Sequence, residues 1–292
     1  MLVLLIGFIQ PDVGWFGVTH EDGMHIRASM VVAAVWFGLF AIPLFRWVPR
    51  SRPVPAMGPS SGQAAPARVS LIDSYRLLWQ SIRELRRDHP HTLYFLLASA
   101  VFRDGLVGVF TFGGVIAAGT FGFSPGTVIL FGVAANVGAG IATILGGLLD
   151  DALGPKRIII ASLVCMSLTG LGIFFGHNAG AGLFWVLGLA LALFVGPAQS
   201  ASRSLLARIL PAGREGEIFG LYATTGRAVS FLAPLMFSAS IALGRVILPP
   251  GQDAQYWGIL GIIAVLIAGL VMVLPIHSPP GRATVARRSA PH

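Results

Sequence analysis

The chain has 292 residues, of which 55% are hydrophobic and 11% are charged, with a formal net charge of +8 and a mean hydropathy of +0.78. Soluble domains carry about 25% charged residues, so this composition excludes an ordinary soluble domain and indicates a polytopic membrane protein. The positive charge does not indicate a nucleic-acid-binding protein, because the basic residues lie between hydrophobic runs rather than on one basic face.

Seven apolar segments approach the roughly 20 residues that a helix needs to cross a bilayer. They run over residues 28–45, 92–118, 125–149, 158–175, 181–202, 217–243 and 255–275. They predict an all-α, polytopic helical membrane protein. The first nine residues are apolar but too few to span, and no basic residue precedes them as in a signal peptide. We expect them to be the end of a helix whose start is absent.

Residues 46–90 form a loop after the first of these segments and have two distinct parts. Residues 51–68 are rich in Pro, Ser, Gly and Ala, which predicts a linker without secondary structure. Residues 69–88 repeat apolar side chains at helical spacing with arginines between them, which predicts an amphipathic helix. Three roles for it stay open: lying on anionic lipid, bracing two halves of a transporter, or packing on its own protein.

The distribution of basic residues predicts the topology, since short basic loops stay in the cytoplasm. Sixteen of the 20 Lys and Arg residues lie in residues 46–90, 150–157 and 203–216 and in a basic tail, 276–292. Arg27 and Arg245 lie on the opposite side. We therefore expect a multi-pass protein of the cell membrane with its central loop and C-terminus in the cytoplasm. The 19 Arg against one Lys hint at a bacterial source.

Polar residues divide the last six segments into two triplets. The first, second, fourth and fifth of them carry charges or amides, whereas 158–175 and residues 256–275 of the last segment carry neither. Ionisable groups in hydrocarbon are costly and normally face protein or water. We expect the four polar segments to line a cavity and the two apolar ones to face lipid or support the bundle, as in transporters built from repeats.

Six residues are candidates for solute binding or proton coupling: Arg103, Asp104, Asn136, Gln199, Tyr222 and Arg227. Arg103, Asn136 and Arg227 are predicted to lie near one depth in the membrane, where two guanidiniums and an amide suit a carboxylate or phosphate group. Adjacent helical positions diverge, so Arg103 and Asp104 need not pair, and Asp104 is expected to reach Arg227 instead. The competing interpretation is that these charged side chains only form ion pairs that stabilise the fold and do not bind solute or protons. Arg203, Arg208 and Arg214 are expected to anchor the cytoplasmic face.

The stretch GLLDDALGPKR, residues 147–157, resembles the loop motif of the major facilitator superfamily. Its matching positions are Gly147, Leu149, Asp151, Gly154 and Lys156, followed by Arg157. The resemblance implies a loop that holds one conformation of an alternating-access transporter. Ala152 stands where the superfamily often has a basic residue. A turn with solvated charges is the alternative interpretation.

Residues 97–123 and 200–235 together resemble the vacuole-effluxer branch of that superfamily, because Ser-Arg-Ser, Pro-x-Gly-Arg-Glu, Phe-Gly-x-Tyr and Gly-Arg occur in order. The resemblance implies a twelve-helix fold in two halves. Residues 1–45 would then be part of helix five and helix six, residues 46–90 the central loop, and residues 91–275 the C-terminal six-helix bundle, with residues 276–292 as the tail.

The resemblance implies a secondary transporter that exports a small polar solute such as an amino acid by alternating access. The alternative is a truncated, non-transporting or partner-dependent half-transporter, since four helices of the family would be missing. No enzyme is expected, because the sequence lacks a nucleophile and base constellation, and neither a cofactor nor a metal site is expected. The expected partners are the lipid bilayer and a small-molecule solute, with protons and a separate N-terminal half as further candidates.

Overall fold

The structure is a computed structural model that describes residues 7, 13–19, 23–47, 71–211 and 213–276. The described residues are helical apart from one small hairpin, in which β1 (Val13–Gly14) and β2 (Val18–Thr19) pair antiparallel. Within these residues, seven helical segments are long and apolar enough to cross a membrane, which confirms the predicted polytopic all-α fold. The partial helix predicted over residues 1–9 lies almost wholly outside the described residues.

The α-helices are numbered here in chain order. They are α1 (Met24–Trp47), α2 (Leu71–Asp88), α3 (Pro90–Gly119), α4 (Pro125–Leu153), α5 (Pro155–Phe175), α6 (Ala181–Leu193), α7 (Val195–Ile209), α8 (Glu215–Ala228), α9 (Leu232–Ile247) and α10 (Gly258–Val273). The chain forms two units, Met1–Ser74 and Tyr75–His292. The features described below belong to the second unit.

Helix α10 packs along α3, α5 and α9. Glycines allow the close approach, because a Cβ atom at Gly261 would collide with the backbone of Met236, and one at Gly269 with the backbone of Phe102. Half of the α10 segment and 44% of α5 are buried, against 17% of α4 and of the α8–α9 segment. The two apolar helices therefore support the bundle, one of the two roles expected for them.

Small residues also bring α4 against α6 and α7, because they let the helix backbones approach closely. A Cβ atom at Gly146 would lie 2.8 Å from the Pro197 side chain, and one at Gly188 would lie 2.8 Å from the Phe131 ring. Gly196 sits as tightly against Thr143. These contacts fix the position of α7 and hence of the polar side chains it carries.

The predicted spans over residues 181–202 and 217–243 each lie within one membrane-crossing segment, Ala181–Ile209 and Glu215–Ile247, but each segment contains a short interruption. The first breaks at Phe194, between α6 and α7, and the second breaks over residues 229–231, between α8 and α9. Pro197 and Pro234 are each the third residue of the helix that follows the break. Proline has no N–H to donate, and a helix tolerates it in the first turn, where N–H groups lack intrahelical partners.

Contacts between helix ends show that the bundle alternates in direction. Thr92 at the start of α3 donates to the carbonyl of Ile209 at the end of α7, at 3.1 Å. Lys156 at the start of α5 donates to the carbonyl of Leu274, just past α10, at 2.6 Å. At the other end, Gln255 donates to the carbonyl of Val115 at 3.0 Å. The basic segments 150–157 and 203–216 thus lie near helix ends that the sequence assigns to one side of the membrane.

Helix α2 lies where the amphipathic helix was predicted, and one of its faces packs on its own protein. Leu85 is buried in the hydrophobic core, and Glu84 forms an ion pair with Arg214 at 3.3 Å. Trp79 is exposed. Packing on its own protein, one of the three roles left open, is therefore observed for this face.

Candidate functional site

A polar pocket of about 290 Å³ lies between α3, α7 and α8. Its lining consists of Arg103, Asp104, Val107, Gln199, Arg203, Tyr222, Ala223, Gly226, Arg227 and Ser230. Five of the six candidate residues from the sequence are among them. The structure therefore brings together polar side chains that are more than 90 residues apart in the chain.

Arg103 is held flat against α8. Its Nη1 donates to the backbone carbonyl of Tyr222 at 2.9 Å, and its Cζ lies 3.8 Å from the centre of the Tyr222 ring, a cation–π contact. A Cβ atom at Gly226 would lie 3.1 Å from Nη2 of Arg103, so the glycine leaves room for the guanidinium. The Tyr222 hydroxyl is itself hydrogen-bonded to Ser202 at 2.8 Å, which fixes the ring beneath the charge.

Asp104 is buried at 5% exposure and caps the helix that follows the second break. Its Oδ2 accepts a hydrogen bond from the backbone N–H of Ala233 at 2.5 Å, in the first turn of α9. A carboxylate is favourable there because it satisfies a free N–H and lies at the positive end of the helix dipole.

This contact corrects the expectation that Asp104 reaches Arg227. Within the described residues, Asp104 forms no ion pair with Arg103 or with Arg227. The break over residues 229–231 is the reason, since it creates a helix N-terminus close to Asp104. The expectation that the neighbours Arg103 and Asp104 do not pair with each other agrees with the structure.

Arg203 and Arg227 extend the positive charge of the polar pocket. Both side chains are exposed, and in the described part of the chain neither forms an ion pair. The sequence assigned Arg203 to a cytoplasmic loop, but α7 continues to Ile209. The available signal was helical spacing, because Gln199 and Arg203 are four residues apart and share one face of α7.

Asn136 does not line the polar pocket. Its side chain is exposed and donates to the carbonyl of Gly132 on the same helix at 2.8 Å. A depth estimate from the sequence does not show which way a residue faces around its helix. The structure therefore does not place Asn136 with Arg103 and Arg227.

A second cavity, of about 170 Å³, lies among α3, α4, α5, α6 and α10. Its walls are glycines and apolar side chains, including Val109, Phe131, Phe184 and Ile262. It offers no charged or amide side chain to a polar solute. The polar pocket is therefore the better candidate for a solute site.

The loop motif at the end of α4 uses a different acid from the one its spacing predicted. Asp150 is buried, and its Oδ2 accepts hydrogen bonds from Ser204 Oγ at 2.5 Å and from Arg208 at 3.2 Å. Asp151 is exposed and lies 4.0 Å from Arg208. Adjacent helical residues point about 100° apart, since a turn takes 3.6 residues, so Asp150 points more directly at α7 than Asp151 does. Asp150 connects the two helices through hydrogen bonds, whereas Asp151 contributes a longer, exposed ion pair.

The remaining motif residues form the turn between α4 and α5. Gly154 has a φ of +89°, a conformation that favours glycine, and Lys156 donates to the carbonyl of Leu274. Gly147 and Arg157 are exposed. Arg208 and Arg214, which are expected to anchor the cytoplasmic face, form ion pairs, Arg208 with Asp150 and Arg214 with Glu217 at 2.7 Å.

The family model described as "Vacuole effluxer Atg22 like" matches residues 2–243, most of the chain. The chain belongs to the Vacuole effluxer Atg22 like family. The matched range contains every residue that lines the polar pocket and the whole loop motif. Helix α10 lies outside that range.

Individual members of the Vacuole effluxer Atg22 like family and related transporters show the same similarity. The chain is 26% identical over 221 residues to "Uncharacterized MFS-type transporter YxiO" of Bacillus subtilis, covering 74% of this chain and 47% of that protein. It is 25% identical over 224 residues to "Autophagy-related protein 22" of Cryptococcus neoformans, covering 72% and 40%. For the protein of the same name in Yarrowia lipolytica, it is 22% identical over 253 residues, covering 80% and 43%. The chain spans less than half the length of these curated relatives.

Proposed function

We propose that this chain is part of a membrane transporter of the major facilitator type. It exports a small polar solute, such as an amino acid, across the cell membrane by alternating access. Its central loop, residues 46–90, and its C-terminal tail lie in the cytoplasm. The observation that carries the proposal is the polar pocket with three arginines, which is lined by helical segments long enough to cross a membrane.

The depth of the polar pocket supports a solute site. Arg103 lies 13 residues after Pro90 and Arg227 lies 12 residues after Glu215, which at 1.5 Å per residue places them about 20 and 18 Å along their segments. Both therefore lie near the middle of a hydrocarbon layer of about 30 Å. Charged groups at that depth are costly and mark solute or ion pathways.

The interrupted helices also support transport. The break between α8 and α9 lies at the polar pocket, because Ser230 belongs both to the break and to the lining. Transporters commonly place solutes at helix interruptions, where backbone groups are free to bind. An interruption is also a place where one half of a helix changes its angle against the other during alternating access.

The alternative is a partner-dependent half-transporter that binds solute but does not move it alone. Only 17% of the α4 and α8–α9 segments is buried within this chain, which leaves their outer faces available to a second bundle. The two candidates share the same pocket and differ in whether the chain alone carries flux.

Efflux from proteoliposomes tests the proposal. Liposomes that contain the purified 292-residue chain are preloaded with a mixture of radiolabelled amino acids, and release is compared with that from protein-free liposomes. We expect at least one amino acid to leave faster with the protein than without it. Arg103→Gln should reduce that release, and Arg245→Gln, at the exposed end of α9, should not. Binding of the solute without any release would favour the half-transporter, and neither binding nor release would overturn both candidates.

A further inference from the structure

We infer that the polar pocket binds its solute through an anionic oxygen group, a carboxylate or a phosphate, received by Arg203 and Arg227 beside Arg103. The inference rests on the proposed function in one respect, that the polar pocket is a solute site. It goes further by naming the charge of the group that binds there.

The charge balance of the polar pocket is the first argument. Its lining contains three guanidinium groups and one carboxylate, Asp104. That carboxylate is buried and its Oδ2 is hydrogen-bonded to the N–H of Ala233 at 2.5 Å. A cationic solute group would thus meet an excess of positive charge and a single carboxylate that is already hydrogen-bonded through Oδ2. An anionic group would meet an excess of donors.

The free donors are the second argument. A guanidinium carries five N–H groups and cannot lose its charge in a protein. Arg103 uses one of them on the carbonyl of Tyr222 and rests on the Tyr222 ring, so its orientation is set before a solute arrives. Arg203 and Arg227 have no ion-pair partner in the part of the chain that the structure describes. The planar fork of arginine matches the oxygens of carboxylates and phosphates.

The grouping of the arginines is the third argument. Arg103, Arg203 and Arg227 all line the one polar pocket. Like charges that line one site attract an anion to it, because an anion between them lowers their mutual repulsion.

Two sources could supply such an oxygen group: a soluble solute and the headgroup of an anionic lipid. The mid-membrane position of the polar pocket favours the soluble solute, because lipid headgroups lie at the membrane surface. The lipid headgroup is tested as a separate arm of the experiment below.

The test is the thermal unfolding of the purified 292-residue chain in nanodiscs of zwitterionic lipid, with succinate, inorganic phosphate or uncharged succinamide added. Chloride keeps the ionic strength constant, because exposed charges are screened by salt. A ligand that binds the folded state raises the unfolding midpoint. We expect succinate or phosphate to raise it and succinamide to leave it unchanged. Equal shifts with succinate and succinamide, or no shift with either anion, would overturn the inference.

Three variants locate the effect, each replacing one arginine by glutamine. Arg203→Gln and Arg227→Gln should weaken the apparent anion affinity about tenfold each, a change typical of one charge-assisted hydrogen bond. Arg245→Gln removes the same charge outside the polar pocket and should keep the full shift. The variants should unfold at the midpoint of the unmodified chain when no anion is present, since all three side chains are exposed. An equal loss in Arg245→Gln would show a nonspecific salt effect and contradict the inference.

Nanodiscs that contain anionic lipid form the second arm. If soluble anions give no shift in zwitterionic lipid but anionic lipid alone raises the midpoint, the group belongs to a lipid headgroup and the soluble-solute inference is wrong. Efflux separates this inference from the proposed function. Anion binding without efflux would leave the inference standing and overturn autonomous transport, whereas amino-acid efflux without anion binding would overturn the inference alone.

Discussion

Arg103 shows how one charge is accommodated in the middle of an apolar helix. The guanidinium binds to α8 at a site, here called the seat, that consists of the Tyr222 ring, the Tyr222 carbonyl and the space left by the absent side chain of Gly226. Since no single contact is strong, the position of the guanidinium depends on all three. A change that moves the guanidinium by a few tenths of an ångström should therefore weaken the polar pocket without unfolding the bundle.

Gly226→Ala tests this seat. The added methyl group would press on the Arg103 guanidinium at 3.1 to 3.2 Å, and tight insertions of this kind cost roughly 1 to 3 kcal/mol when the neighbour cannot move. We expect weaker binding of succinate in the nanodisc measurement. Gly220→Ala on the same helix meets open space and should bind as the unmodified chain does. Equal binding in both variants would show that Arg103 has no role in the site.

Asp104 is predicted to act through its hydrogen bond to Ala233 rather than through its charge. Asp104→Ala leaves a buried N–H without a partner, which costs about 1 to 3 kcal/mol, whereas Asp104→Asn keeps an oxygen that accepts the bond. We expect the alanine variant to unfold at a clearly lower denaturant concentration and the asparagine variant to unfold at nearly the same concentration as the unmodified chain.

Efflux measured with Asp104→Asn tests a separate role of this carboxyl. Efflux that survives the substitution would rule out proton coupling through Asp104, and loss of efflux would favour that coupling.

The sequence predicted which residues are polar at mid-membrane, but it did not predict how they pair. Arg103, Gln199, Tyr222 and Arg227 meet as expected, because cost forces polar groups away from lipid. The partner of Asp104 depends on a helix break that hydropathy does not show, and the outward position of Asn136 depends on the rotation of α4. Both follow from packing between segments that are distant in the sequence.

At the scale of the helices, the two interruptions are the features that the sequence analysis missed. Hydropathy averaged over a span is insensitive to a break of one to three residues, so residues 181–202 and 217–243 each resembled one helix. Pro197 and Pro234 were the local signals, but a membrane helix also tolerates proline as a kink. Gly196, two residues after the first break, lies close to Thr143 of α4.

Asp150 is predicted to hold α4 against α7, and Asp151 is its natural control. Asp150→Asn weakens charged hydrogen bonds from Ser204 and Arg208, bonds worth about 1.5 to 3 kcal/mol when one partner is charged. Asp151→Asn changes an exposed side chain 4.0 Å from Arg208 and should cost much less. Chemical denaturation of the two variants in detergent measures the difference. A larger loss for Asp151→Asn would favour the acid that the motif spacing predicted.

At the scale of the whole molecule, the basic segments and the helix ends support the same topology. Single-cysteine variants in a Cys165→Ser background test it with a maleimide that cannot cross the membrane. Asn178→Cys, in the exposed turn after α5, should react in intact cells. Ala152→Cys, exposed at the end of α4, should react only after the cells are opened. Reaction of Ala152→Cys in intact cells would place the basic loop outside and contradict the assigned orientation.

The family, the helical class and the number of spans follow from composition and motifs, because a bilayer allows few architectures. The polar pocket required the structure, because its lining comes from three helices and includes Arg203, which the sequence placed in a loop. We propose that the solute binds in this pocket during transport. Such binding needs the arginines, the helix interruptions and the membrane-spanning segments together.

The most direct test is the initial rate of solute efflux from proteoliposomes that contain the unmodified chain, Arg227→Gln or Arg245→Gln at equal protein density. We expect Arg227→Gln to lower the initial efflux rate about tenfold at a limiting solute concentration, which corresponds to the loss of one charge-assisted hydrogen bond. Arg245→Gln should keep the rate of the unmodified chain. Efflux at the unmodified rate in Arg227→Gln would contradict the assignment of the polar pocket as the solute site.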